Sequence, residues 1–117
     1  MNFYIPLFGL FGLLLASAGI YIFSRRKVST TLHAAKQGDP EAQYQAALLY
    51  YHGRHGVTKN WKQAFDYLSA AAQTGHTAAL NALGALYYAG HGTEKSVSEA
   101  LTCYQQSAEK GKTYMYF

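Results

Sequence analysis

Five histidines and a single cysteine are the side chains in this chain best suited to chemistry. His52 and His55 form an H-x-x-H across "YYHGRHG", and His91 holds the matching place in "AGHG". Stacked loops could bring these imidazoles together around a zinc ion. Zinc, however, takes three or four ligands on a rigid frame. These histidines sit on glycine-flanked turns, and no glutamate lies inside the H-x-x-H. Solvent-facing loop histidines are the plainer reading, with metal binding or membrane enzymology as the alternative. Glu94 and Glu99 lie near Ser96 and Ser98, a grouping that suits a helix N-terminus. There is no Ser-His-Asp order, no G-x-S-x-G and no phosphate-cradling glycine loop. The expectation is therefore no catalytic residue, no cofactor, no metal and no small-molecule substrate. With one cysteine, Cys103, no internal disulfide can form, which favours a reducing compartment. Cys103 reads as a small apolar packing residue.

The elements that carry these residues follow from a period. Glycines 38, 75 and 111 are spaced 37 and 36 residues apart, and Gly53 and Gly90 are 37 apart. Ala64 and Ala100, like Ala72 and Ala108, are 36 apart. The one-residue difference is confined to a loop, where "GRHG" (53–56) becomes "GHG" (90–92). A fixed period with an indel in a loop marks a repeat array. Each unit reads as two helices. Asp39 and Pro40 suit the start of a helix over 41–51 that Gly53 ends, and Asn60 opens one over 61–74 that Gly75 closes. In the second unit a helix opens at His76 or Thr77 and stops at Gly90; Ser96 then caps one over 97–110. Ala64, Tyr67, Leu68, Ala71 and Ala72 form one apolar helical stripe, and Ala100, Cys103, Tyr104, Ser107 and Ala108 copy it. Neither hairpin can bury that stripe alone, so the pairs must stack.

These residues resemble the Sel-one-like repeat, a tetratricopeptide-type helical hairpin. In the first unit the matching positions include Gly38, Asp39, Glu41, Ala42, Gln43, Tyr44, Gly53, Ala64, Ala71, Ala72 and Gly75. In the second they include Ala79, Leu83, Gly84, Tyr87, Gly90, Ala100, Tyr104, Ala108 and Gly111. The likeness covers about residues 32–113. It departs from the family pattern at Ala46-Ala47, where Leu-Gly is usual, at the caps Asn60 and Ser96, and at Cys103, where an aromatic is common. The resemblance implies an all-α fold, a short α-solenoid of two helix-turn-helix repeats (38–74 and 75–111), preceded by a partial capping helix within 25–37. It also implies a non-catalytic interaction scaffold. By the same resemblance the first helix of each unit lines the concave face, where Glu41, Leu48, Tyr51, His52, Asn81 and Tyr88 would meet a protein partner.

The first 23 residues contain no Asp, Glu, Lys, Arg or His. Phe3 to Phe23 would make about 31 Å of helix, enough to cross a bilayer core, with Tyr4 and Tyr21 near the two interfaces. A transmembrane helix over 1–24 is expected. "ASA" (16–18) looks like a signal-peptidase site, but no basic residue precedes the apolar run, as a signal peptide would want. Instead Arg25, Arg26 and Lys27 follow it and would meet lipid headgroups. That placement predicts a single-pass protein with cytoplasmic repeats, and the architecture looks like one from a bacterial inner membrane. Gly9, Gly12, Ala16 and Gly19 fall on one face, where another membrane helix could approach closely.

Those three basic residues account for most of the net charge of +4. Residues 28–117 hold seven basic and six acidic side chains, without a basic stripe, so nucleic acid is not an expected partner. After Gly111 the repeat grammar asks for another first helix, but "KTYMYF" (112–117) follows. Its Tyr114, Met115, Tyr116 and Phe117 either fold back over Leu101, Tyr104 and Ala108, dock on a partner or the bilayer, or fray. The function expected from all this is a membrane-anchored protein-interaction scaffold. It would be either an accessory subunit of a membrane complex, among integral membrane subunits, or an adaptor recruiting a partner.

Overall fold

The computed structural model describes residues 24–115 of the chain, with side chains through residue 111. The described residues are all-helical: α1 (24–36), α2 (Pro40–His52), α3 (Trp61–Gln73), α4 (Thr77–Ala89) and α5 (Val97–Met115). Consecutive helices pack as antiparallel hairpins, α2 with α3 and α4 with α5, and α3 joins the two pairs through α4.

Local chemistry sets the boundaries. Asp39 caps α2 by accepting from the Glu41 and Ala42 amides, with Pro40 in the first turn, where its missing N–H costs nothing. Asn60 Oδ1 accepts from the Gln63 amide at 3.0 Å, and Ser96 Oγ from the Glu99 amide at 3.2 Å. Gly53 (φ 65°) and Gly90 (φ 72°) end α2 and α4 in the left-handed region, donating to the Leu49 and Leu86 carbonyls. Each following loop is tied back to its own first helix. The Asn60 amide donates to the Tyr50 carbonyl at 2.8 Å, and the Ser96 amide to that of Tyr87 at 2.9 Å.

The core is built from small residues. Ala46, Ala47, Ala64, Ala71 and Ala79 are fully buried, which lets the helices approach closely. Leu68, Leu83 and Leu86 fill the space between the units, and the partly buried Tyr44, Tyr50, Tyr67 and Tyr87 seal its margins. Helix α1 joins this scheme by register. A shift of 36 residues maps Val28, Leu32 and Ala35 onto Ala64, Leu68 and Ala71. Ala35 is buried against Ala42 and Ala46, with Leu32 packed beside them. Thus α1 stands toward α2 as α3 stands toward α4.

Two expectations are corrected. Gly111 does not end the last helix, and no third unit begins at residue 112: α5 runs on through Gly111 to Met115. Gly75 stops α3 because it turns left-handed (φ 85°) where His76 starts the next helix, and the Lys110 side chain of α5 lies over it. Gly111 has no positive φ, and a side chain there would meet nothing within 4 Å. An interior glycine costs about 1 kcal/mol relative to alanine, which a helix tolerates. Secondly, the apolar stripe on α5 is only half covered: Ala100, Cys103 and Ser107 are buried, whereas Tyr104 and Ala108 are exposed.

The expected transmembrane helix, with Gly9, Gly12, Ala16 and Gly19, lies outside the described residues, as do Tyr116 and Phe117. Tyr114 and Met115 belong to the last turn of α5. Among the described residues no helix is long and apolar enough to cross a membrane.

Candidate functional site

The residues expected on the first helices divide into two groups. The first is consumed in joining the units. Tyr51, at the end of α2, stacks near Trp61 (centroids 5.9 Å apart, planes at 22°), and its hydroxyl shares a 2.9 Å hydrogen bond with His91 Nδ1. His91 lies flat on Trp61 at 3.9 Å, and the Lys59 ammonium stands 4.6 Å from the Trp61 ring. His52 meets Tyr51 edge-on at 5.0 Å. The loop of the second unit is therefore clamped onto the start of α3 by the His91–Trp61 stack and the Tyr51–His91 hydrogen bond, while Lys59 adds a cation–π contact to Trp61 from within the first unit. Tyr51 is a joint residue rather than an open binding surface.

Glu41 is engaged in the same way. His76 Nδ1 accepts from the Ala79 amide at 3.1 Å, so this nitrogen carries no proton and the tautomer is fixed. Nε2–H therefore donates to Glu41 Oε2, at 2.6 Å. One imidazole caps α4 and ties it to the first turn of α2. The hydrogen bond from Gln45, followed by that from His76, holds the Glu41 carboxyl below its ordinary value. Because folding lowers this pKa, the contribution is complete above the ordinary glutamate range and fades as pH falls through the folded-state value. Glu41 is exposed, so the effect is small. His76→Ala removes the cap and the tie together. It should cost about 1 kcal/mol, read from the urea midpoint, whereas Glu41→Gln should lose a small contribution above the glutamate range and match the wild type at acid pH, where the wild type has lost it too.

The second group stays open. Asn81 and Tyr88 on α4 are exposed, Tyr88 by 59%, and Leu48 is half-buried. Tyr88 corresponds by register to Tyr51, yet its ring carries the Lys95 ammonium, at 5.5 Å, in place of the Trp61 and His91 rings that Tyr51 meets. Val97, Leu101 and Tyr104 are likewise 50%, 54% and 39% exposed, and they correspond to Trp61, Phe65 and Leu68. In the first unit those positions are covered: Leu68 is buried, and Phe65 packs edge-on against Tyr87 at 5.3 Å. Among the described residues, the outer face of α5 thus repeats the positions of the internal joint without their cover.

The basic residues gather at the opposite end. Arg25, Arg26, His33 and Lys36 of α1 and His55 of the α2–α3 loop line one open groove that includes no carboxylate. Lys27 borders an adjoining hollow with Leu49 and His55. His55 is the register equivalent of His91, and it lines the same groove as Arg25. The H-x-x-H pair is divided between these surroundings, and among the described residues no three His, Cys, Asp or Glu side chains are set to hold a metal. Cys103 is buried, and burial, reinforced by Glu99, pushes its thiol pKa up, away from nucleophilic character.

Sequence reasoning missed the Trp61–His91 stack and the part played by Gly92. The stack joins residues 30 positions apart, off the repeat period, and the single tryptophan was the only local signal.

Comparison with known proteins agrees with this architecture. Residues 40–76 and 77–112 match the family model of the Sel1 repeat. The mouse protein named DAP3-binding cell death enhancer 1 is 35% identical over 86 residues, which is 74% of this chain and 16% of that protein. Among solved structures, c5321, a protective antigen of uropathogenic Escherichia coli with an SLR fold, is 31% identical with a TM-score of 0.68. That match covers 72% of this chain and 18% of c5321. A Sel1 repeat protein from Oxalobacter formigenes is 28% identical, also with a TM-score of 0.68, over 71% of this chain and 63% of that one. Cysteine rich protein B of Helicobacter pylori, 20% identical with a TM-score of 0.68 over 73% and 63% of the two chains, shares the fold. The chain thus spans less than two thirds of each of these relatives.

Proposed function

The chain belongs to the Sel1 repeat family, and on that premise we propose that it is a membrane-anchored scaffold. It would hold a protein partner at the bilayer as an accessory subunit or as an adaptor. Sel1 repeats are protein-interaction scaffolds and are typically non-catalytic. The mouse relative is by its name a DAP3-binding protein, which is in line with a protein partner. The observation that carries the membrane part is the run from Phe3 to Phe23 without a charged side chain, followed at once by Arg25, Arg26 and Lys27. The carboxylate-free basic groove of α1 supports the same reading, because it extends that positive charge onto the folded domain. Partner contact is assigned to the open residues of the first helices, Leu48, Asn81 and Tyr88, together with His52, which touches Tyr51 but stays exposed.

Fractionation tests this directly. The full chain should stay in the membrane pellet through carbonate extraction, and deletion of residues 3–23 should release it. A full chain recovered in the carbonate supernatant would refute the anchor. For the scaffold, crosslinking in native membranes should join Asn81 and Tyr88 neighbourhoods to another protein. Tyr88→Ser with Asn81→Ala should lower that yield about tenfold, since truncating one or two interface side chains removes more than about 1 kcal/mol. An unchanged yield from a folded variant would reject this surface.

A further inference from the structure

We propose that the groove between α1 and the α2–α3 loop is a site for the phosphate headgroup of an anionic phospholipid. It arises from two exchanges in the repeat register. A shift of 36 residues sets Arg25 and Ser29 of α1 where α3 has Trp61 and Phe65. In the joint between α3 and α4 those two rings fill the space, Trp61 stacked on His91 and Phe65 edge-on against Tyr87. The register equivalents of His91 and Tyr87 are His55 and Tyr50, and both line the α1 groove together with Arg25 and Ser29. With a flexible cation and a small hydroxyl in place of two rings, the same joint becomes a hollow of about 830 Å³. That volume is in the range of small-molecule sites. Its walls are one helix and one loop whose side chains are all described.

The lining identifies the occupant as a negatively charged amphiphile. Val28, Leu32, Tyr50 and Val57 are half-buried and form an apolar floor. Arg25, Arg26, His33, Lys36 and His55 are exposed and form the rim, and the described lining includes no carboxylate. Arg25, Arg26 and Lys36 bring three positive charges, which complement a headgroup with more than one negative charge. A free phosphate ion would leave the apolar floor unused. Position favours a lipid over an acidic peptide. Arg25 stands two residues beyond Phe23, the end of the charge-free run, so at most about 7 Å of chain separates them. The headgroup layer on each side of a bilayer core is about 5–7 Å deep. A chain anchored through residues 3–23 therefore holds the Arg25 end of the groove among headgroups, and the proposal rests on that anchored reading.

Lipid binding to the full chain in a neutral detergent, counted by native mass spectrometry, tests the site. Cardiolipin, with two phosphates, should bind about tenfold or more tighter than phosphatidylcholine, and equimolar inorganic phosphate should not displace it. Lys36→Gln should weaken cardiolipin binding about fivefold, the effect of one basic contact to an anionic headgroup. Lys27→Gln removes the same charge closer to the apolar run but outside this groove, so it should change little. Ser29→Phe restores the ring that α3 carries and should remove the selectivity while every charge stays in place. Ser29 is exposed, so the helical spectrum should not change. Equal binding of the two lipids overturns the proposal. So does a loss from Lys27→Gln as large as that from Lys36→Gln, which would mean diffuse attraction to the basic triplet. A folded Ser29→Phe chain that binds as the wild type does would overturn the groove itself. Displacement by inorganic phosphate would overturn the lipid in favour of a free anion. Because binding is read in micelles, a failed groove is told apart from a failed anchor, which shows as release of the chain by carbonate.

Discussion

Gly92→Ala should be among the most damaging single changes in this chain, lowering stability by roughly 2–5 kcal/mol. Two costs combine. Gly92 has a φ of 76°, a left-handed conformation in which a Cβ costs about 1–2 kcal/mol. In addition, a Cβ there would lie 2.2 Å from the Trp61 carbonyl oxygen and 2.6 Å from its carbon, which are backbone atoms that cannot swing aside. Relief would require moving the whole loop off the start of α3, with His91 and its stack. Gly56 is the internal control. It has the equivalent place in the first unit and a φ of 81°, but a Cβ would meet nothing within 4 Å. Gly56→Ala should therefore show the conformational cost alone, about 1–2 kcal/mol. Urea denaturation of both variants measures the difference. Equal losses would mean that the loop does not approach α3 as closely as described.

A comparable loss, about 3 kcal/mol within a range of 2–5, is expected for Leu68→Ala. Leu68 is 2% exposed and lies where α2, α3 and α4 meet, among Ala47, Ala64, Ala71, Ala79 and Leu83. Its neighbours are mostly alanines, whose single methyl groups cannot reach into the vacated volume, so the cavity stays open. Leu101→Ala provides the contrast, with an expected change within about 0.5 kcal/mol for the isolated monomer. The same truncation on the same type of helix thus has opposite outcomes, according to whether a further hairpin stands over it. A similar loss at the two sites, measured by thermal or urea unfolding under monomeric conditions, would contradict the assignment of covered and bare faces.

This contrast also marks how far the sequence could be read. Helix starts and stops were legible because each rests on local chemistry. Asp39, Asn60 and Ser96 accept from amides within their own first turn, and Gly53 and Gly90 turn left-handed whatever lies beyond them. The period was legible as well, and with it the stacking of two hairpins. What the sequence could not separate was Tyr51 from Tyr88, or Leu68 from Tyr104, because these pairs have equivalent surroundings along the chain and differ only in what stands above them. The same holds for Gly75 and Gly111: a neighbouring side chain lies over the first and nothing lies over the second. The Glu41–His76 tie escaped for another reason. It links residues 35 apart, and its donor was read only as a helix cap. The apolar run over 3–23, the basic triplet and the aromatic end are legible as composition, and carbonate extraction tests the first of them.

The stack of His91 on Trp61 has an optical consequence. Trp61 is the only tryptophan in the chain, and its indole faces the joint between the units rather than the centre of either hairpin. Its emission therefore reports the joint, where Tyr51 of the first unit and His91 of the second lie against the ring, while the amide circular dichroism reports helix content in both hairpins. In a linear array each hairpin has its own stability and shares one coupling energy with its neighbour. A denaturation curve followed by fluorescence measures that coupling, and the same curve followed by dichroism measures the hairpins. The gap between the two midpoints is then the cooperativity of the solenoid, obtained from the natural chain without any added label.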